Sequence, residues 1–105
     1  MIPEACRVLE AVPATGKEVH FVLEAPQQEP FRPEPGQFVM VSLPGIGEAP
    51  ISIAAIPGEA TPEDTFELLI RRAGRLTNLV TRLKAGDYLY VRGPYGRRVG
   101  WEAFK

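Results

Sequence analysis

The stretch Pro35-Gly36-Gln37-Phe38-Val39-Met40-Val41-Ser42-Leu43-Pro44-Gly45 decides how the chain folds. Its middle, Gln37 to Leu43, is the strongest β-strand in the sequence. Pro35-Gly36 ahead of it suits a type II turn, because glycine accepts the positive φ that turn requires. Pro44-Gly45-Ile46-Gly47 breaks the strand at its other end. A short apolar run held between Pro-Gly breaks recurs along the rest of the chain.

Toward the N-terminus, Val19 to Leu23 alternates: Val19, Phe21 and Leu23 face one way, His20 and Val22 the other. That period of two marks a half-buried strand. Ala14-Thr15-Gly16-Lys17 is a turn, and Cys6 to Val12 before it reads as a further strand through Val8 and Val12. The polar, proline-rich Gln27 to Glu34 is a loop. Toward the C-terminus, Ile51 to Ile56 is a strand closed by Pro57-Gly58, an acidic loop runs from Glu59 to Asp64, and Phe66 to Arg72 is the next strand. The period then changes. Leu76, Leu79, Val80 and Leu83 fall at helical spacing, predicting one helix over about residues 77–85. Thr77 is its expected N-cap. Arg82 and Lys84 sit near its end, where they complement the dipole, and Gly86 is the expected terminator. Tyr88 to Arg92 is the last strand, ended by Gly93-Pro94-Tyr95-Gly96. Arg97 to Lys105 has no clear period.

About six short strands and one short helix predict an all-β fold, a closed antiparallel barrel or a sandwich, with the helix over one open end. At 105 residues the sequence holds one domain at most. Hydrophobic residues at 45% and charged residues at 24% suit an ordered globular chain, not a disordered one. A net charge of -1 gives no reason to expect nucleic acid or an anionic membrane as partner. No apolar run approaches the length of a membrane span, and Met1-Ile2-Pro3-Glu4 lacks a signal-peptide pattern, so the expected location is the cytoplasm.

The single cysteine, Cys6, can form no internal disulfide and cannot alone hold a zinc ion or an iron–sulfur cluster. The single histidine, His20, sits on a strand face with no second histidine to work with. Nucleophilic catalysis of the Ser-His-Asp or Cys-His kind is therefore unsupported, and neither a catalytic side chain nor a metal site is expected.

Two segments carry candidate chemistry. In Arg72-Ala73-Gly74-Arg75-Leu76-Thr77, between a strand and a helix, glycine permits close backbone approach and the exposed N–H groups of a helix start can receive an anion. The plain alternative is a glycine turn with a threonine cap. Arg71, Arg72 and Arg75 crowd the same place, either as phosphate partners or as solvated charges. In Glu48-Ala49-Pro50-Ile51-Ser52-Ile53, Ser52 at a strand start can bond the polar edge of a flat cofactor, or is a buried serine bonded to backbone.

Taken in order, PGQFVMVSLPG, EAPISIAA, ELLIRRAGRLT and LKAGDYLYVRGPYG resemble the flavin-binding domain of the ferredoxin–NADP reductase superfamily over nearly the whole chain. Within it the resemblance is to electron-transfer subunits: that of dihydroorotate dehydrogenase, sulfhydrogenase gamma subunits and the corresponding subunit of anaerobic sulfite reductase. The resemblance implies a six-stranded Greek-key barrel carrying FAD, or sometimes FMN. It places the family pattern Arg-x-Tyr-Ser on Ala49, Pro50, Ile51 and Ser52. Ser52 would bond the flavin near N5. Ile51 stands where many members have a stacking tyrosine, and Ala49 where the family arginine clamps phosphates. Leu69, Ile70 and Arg71 would run along the flavin, and Gly74, Leu76 and Thr77 would hold the pyrophosphate.

The resemblance further implies a flavin barrel over residues 1–100, residues 101–105 opening a linker to an NAD(P)-binding domain, and electrons passing from NAD(P)H through flavin to a [2Fe–2S] centre or partner subunit. The rest of such a protein, with its four-cysteine cluster, lies outside these 105 residues. Ala49 supports a rival from another class, a barrel without flavin that serves as a structural or interaction module. An oligonucleotide-binding barrel ranks last, for want of a basic groove with interleaved aromatics.

Overall fold

The computed structural model describes residues 3–26, 36–55 and 64–96. Strand β1 spans Glu4–Pro13, β2 Glu18–Glu24, β3 Phe38–Leu43, β4 Gly47–Ala55, β5 Thr65–Arg71 and β6 Tyr88–Tyr95, with one helix, α1, at Arg75–Val80. All neighbours are antiparallel, and the order β1-β2-β5-β4-β3-β6 closes into a barrel. β3, β4 and β5 follow one another as a meander while β2 returns beside β5, which is the Greek-key arrangement. The expected loop 27–34, the turn residue Pro35, Ile56, Pro57-Gly58, most of the acidic loop and the tail 97–105 lie outside the described residues.

The alternation seen in the sequence sorts the two faces of each strand. Phe21 and Leu23 of β2, Val39 and Val41 of β3, Phe66, Leu68 and Ile70 of β5, and Leu89 and Val91 of β6 are all buried in one core with Cys6 and Val8 of β1. Burying each of the Val, Leu, Ile and Phe side chains stabilises the fold by about 1.5–3 kcal/mol relative to exposure. Helix α1 adds Val80, fully buried, with Leu76 and Leu83 packed beside it. The helix approaches β4 and β3, and it is far too short to cross a membrane.

The Pro44-Gly45 break is a tight hairpin. Ile46 N donates to Leu43 O at 3.0 Å, and Gly45 has φ 80°, the left-handed value a type II turn needs at that place. Gly36 has φ 86°, as the turn expected ahead of β3 requires.

Several boundaries differ from the sequence expectation. The helix occupies Arg75–Val80, not 77–85. Its N-cap is Gly74, with Thr77 at the third helical position, and Thr81 is the C-cap. The apolar spacing continues to Leu83 because two short turns, Arg82 N to Leu79 O at 3.1 Å and Leu83 N to Val80 O at 3.0 Å, keep it aimed at the core after the helix stops. Arg82 and Lys84 thus lie beyond the helix. Gly86 does not end it; with φ 98° it forms the turn into β6, and its N–H donates to Val8 O at 2.8 Å. β4 begins at Gly47, not Ile51, so Ser52 is mid-strand. β6 continues through Gly93 and Pro94 to Tyr95, where the register against β3 shifts between Phe38 and Met40. That irregularity accommodates a proline, which cannot donate to a ladder.

Candidate functional site

The barrel is incompletely zipped between β4 and β5. Among the described residues these strands pair only at Ile53↔Leu68 and Ala55↔Glu67. From Gly47 to Ser52, β4 pairs with β3 alone. From Leu69 to Arg71, β5 pairs with β2 alone. Two strand edges therefore face each other across a seam without exchanging ladder bonds, and α1 begins four residues after β5 ends. A proline in mid-strand marks the place. Pro50 has no N–H to give and is tolerated because β4 lacks a β5 partner there.

Of the residues singled out from the sequence, those at 49–52 and 69–71 lie on the two strands that border this seam. Ser52 and Leu69 lie one step beyond the last regular pair, Ile53↔Leu68. Both are exposed, Leu69 by 42%. Ser52 is thus neither buried nor at a strand start. Ala49 and Ile51 share the face of β4 whose β3 partners, Val41 and Val39, are buried, yet both stay half-exposed. Ile70 is different. Its side chain is fully buried in the core, so only its backbone lies at the seam. Arg71 is exposed on the outer face of β5, in backbone register with Glu18 of β2.

At the start of α1, the Thr77 hydroxyl is already engaged. It accepts the N–H groups of Ala73 at 2.8 Å and Gly74 at 3.0 Å, and donates to Gly74 O at 3.3 Å. This is the returning half of a capping box. A Cβ built on Gly74 would meet open space, so the glycine leaves room beside the helix start. Leu76 is half-buried and packs against the core. The three arginines separate by role. Arg72 donates through Nη2 to Gly16 O, tying β5 to the β1–β2 turn. Arg71 and Arg75 are exposed, and neither has an ion-pair partner among the described residues.

Away from the seam, His20 pairs with Glu67 on the outer face of β2 and β5, as its strand-face reading expected. The Cys6 thiol is pushed up to about 12, first by burial and then by the charges of Glu4 and Glu24, which makes it a poor nucleophile.

One cluster is not evident from the sequence. Arg92 of β6 reaches across β3 to Glu48 of β4, donating from Nε to Oε2 at 2.6 Å and from Nη2 to Oε1 at 2.7 Å. Its Nη1 donates to Tyr95 Oη at 2.6 Å. The hydrogen bond from Arg92 holds the Glu48 carboxyl below its usual range, and Glu48 pushes the guanidinium up. The rings of Tyr95 and Phe38 lie 5.8 Å apart, and Gln37 Nε2 donates to Gly96 O at 2.8 Å. Glu48 and Arg92 each sit on an outward strand position, which the alternation shows, but a contact across two strands leaves no local pattern.

Residues 7–99 match the family described as the oxidoreductase FAD-binding domain. The chain belongs to this family. Sulfhydrogenase 1 subunit gamma of Pyrococcus furiosus is 49% identical over 78% of this chain and 27% of its own length. Sulfhydrogenase 2 subunit gamma of the same organism is 38% identical over 86% of this chain and 31% of its own length. The chain thus spans roughly a third or less of these family members. An NADH-dependent reduced ferredoxin–NADP oxidoreductase, solved in work on flavin-based electron bifurcation, superposes with a TM-score of 0.77 over 90% of this chain and 34% of its own, at 24% identity. That likeness is one of fold, and it agrees with the ferredoxin-reductase-like barrel.

The seam fits the family's cofactor in kind. It offers open strand edges to a flat polar-rimmed group, an exposed leucine for apolar contact, a serine hydroxyl and two arginines without ion-pair partners among the described residues. It lacks a charge at Ala49.

Proposed function

We propose that this chain is the flavin-carrying part of an NAD(P)H-dependent electron-transfer subunit, with FAD, or FMN as the smaller variant, lying along the β4–β5 seam. The observation that carries this reading is the one-sided pairing of Gly47–Ser52 and Leu69–Arg71 in a barrel otherwise closed. Family membership supports the choice of FAD. That the sulfhydrogenase relatives are subunits supports an assembly with a partner subunit.

When bound, the flavin supplies hydride acceptance and single-electron release. The chain's own residues bind and orient it. Ser52 offers its hydroxyl from mid-strand, Leu69 an apolar surface, and Ile51 aliphatic contact where many members of the superfamily stack a tyrosine. Ile70 contributes through its backbone. Gly74 keeps the approach to the helix start open, while Leu76 and Thr77 fix that turn, Leu76 by packing and Thr77 by bonding the N–H groups of Ala73 and Gly74. Arg71 and Arg75 place positive charge near the phosphates in the absence of an arginine at Ala49. No side chain is assigned a proton-transfer role. NAD(P)H, a [2Fe–2S] centre and the partner subunit are assigned no residue here.

Titration of the purified protein with FAD and FMN, followed by absorbance, tests this. Saturable binding with a perturbed flavin band is expected. A colourless protein that takes up neither flavin would favour the rival reading, a structural or interaction module, for which Ala49 is the specific observation.

A further inference from the structure

The β4 segment Glu48–Ser52 has no ladder partner on its β5 side among the described residues, yet it is held at both ends from the opposite direction. At one end, Glu48 is gripped by Arg92 through two bonds. At the other, Ser52 lies opposite Phe38, which lies in turn opposite Tyr95. Arg92 joins the two ends, because its third bond goes to the Tyr95 hydroxyl. The links form a closed loop: Glu48, Arg92, Tyr95, Phe38, Ser52, and back along β4.

The loop is tightly set. A Cβ on Gly96 would come within 3.2 Å of the Phe38 ring, and one on Gly93 within 3.1 Å of the Tyr95 ring. Both glycines are thus needed for the aromatic pair to sit where it does. Gln37 adds a bond from the Phe38 side to Gly96 O at 2.8 Å. A planar guanidinium making a forked contact is well suited to fixing direction as well as distance. A binding edge must be held to within a fraction of an ångström by its supporting shell, and here β4 has a ladder on its β3 side alone.

We infer that Arg92 is a positioning residue for the flavin site: it clamps Glu48 and, through Tyr95 and Phe38, steadies Ser52, so that the open edge of β4 is set before the ligand arrives. This rests on the reading of the seam as a flavin site.

The test is a double-mutant cycle on FAD affinity in the intact chain, using Arg92→Met, Ser52→Ala and the double variant, with thermal unfolding of each. Arg92→Met is expected to weaken FAD binding about tenfold, and the double variant to lose little beyond that, because Ser52 is no longer placed. Tyr95→Phe removes one bond while keeping the ring. It is expected to weaken binding about threefold, and it serves in place of Arg92→Met if that variant does not fold. Multiplicative losses, or unchanged affinity in the Arg92 and Tyr95 variants, would overturn the positioning role while leaving the flavin site intact. A wild-type chain that binds no FAD would instead remove the site reading itself and the inference with it.

Discussion

The hydroxyl of Thr77 accepts the backbone N–H of Gly74 at 3.0 Å, and that of Ala73 at 2.8 Å, so a side chain inside the helix secures the turn that leads into it. Both N–H groups are at the surface, and water replaces part of what is lost when the hydroxyl goes. Thr77→Ala is therefore expected to destabilise the fold by about 1 kcal/mol, read as a lower denaturant midpoint at unchanged slope. Thr77→Ser, which keeps the oxygen, should recover most of it. Equal losses in both variants would show that packing of the methyl group matters instead.

Leu68 is fully buried and pairs with Phe21 of β2 and Ile53 of β4, at the last regular step before the seam. Leu68→Ala should cost about 2–5 kcal/mol, the range for a leucine deleted from a core. Leu69→Ala, one residue on and on the exposed side, should stay within about 0.5 kcal/mol. Urea unfolding of the two variants side by side checks the inside–outside assignment of β5.

Gly45 and Gly96 both have positive φ, 80° and 86°, but different surroundings. A Cβ at Gly45 meets nothing within 4 Å, whereas one at Gly96 runs into the Phe38 ring at 3.2 Å. Gly45→Ala should cost about 1–2 kcal/mol from the backbone alone. Gly96→Ala should cost more, because the ring must also move. A larger loss at Gly45 would contradict the packing described around Phe38.

The Cys6 thiol is raised from 9.0 to about 12 by burial and neighbouring carboxylates. The folded state therefore holds its proton when the unfolded state has lost it. The stability this contributes is complete below pH 9 and is lost as pH climbs toward 12. Wild type should weaken over that range relative to Cys6→Ala, in which the other titrations are unchanged. A thiol reagent at about pH 8, where an exposed thiol reacts readily, should label Cys6 only at the rate of unfolding; immediate labelling of the folded protein would contradict its burial.

Glu48 behaves in the opposite sense. Arg92 holds its carboxyl low, so its contribution is present above the ordinary carboxylate range, about pH 4.3, and is lost as pH falls through the depressed value. The stability difference between wild type and Glu48→Gln should shrink below that pH. A difference that stays constant down to acid pH would mean that the charge on Glu48 contributes nothing to it.

Much of the barrel is legible in the sequence because burial is periodic. Phe21 and Leu23, or Val39 and Val41, announce a strand whichever neighbours they meet. Boundaries are harder where a local signal has two causes. The spacing of Leu76, Leu79, Val80 and Leu83 marks side chains aimed at the core, and Leu83 is so aimed from a turn. Gly93-Pro94 reads as a strand end, yet an irregular register lets the strand continue. For the site, the motifs point to Ser52 and Leu69, which lie on either side of the seam, and to Gly74, which caps the helix that follows β5. They also include Ile70, whose side chain points into the core. The Glu48–Arg92–Tyr95 contacts depend on strand order, which no short-range pattern encodes.

The seam has a further consequence for how the protein behaves when nothing lies along it. Closure is what spares a barrel the exposed edges through which sheets of different molecules join. Here closure is interrupted over Gly47–Ser52 and Leu69–Arg71, so these two stretches lack the ladder that protects the other strand edges. If the proposed flavin lies there, it also covers the two stretches of edge that the strand order leaves without a partner among the described residues.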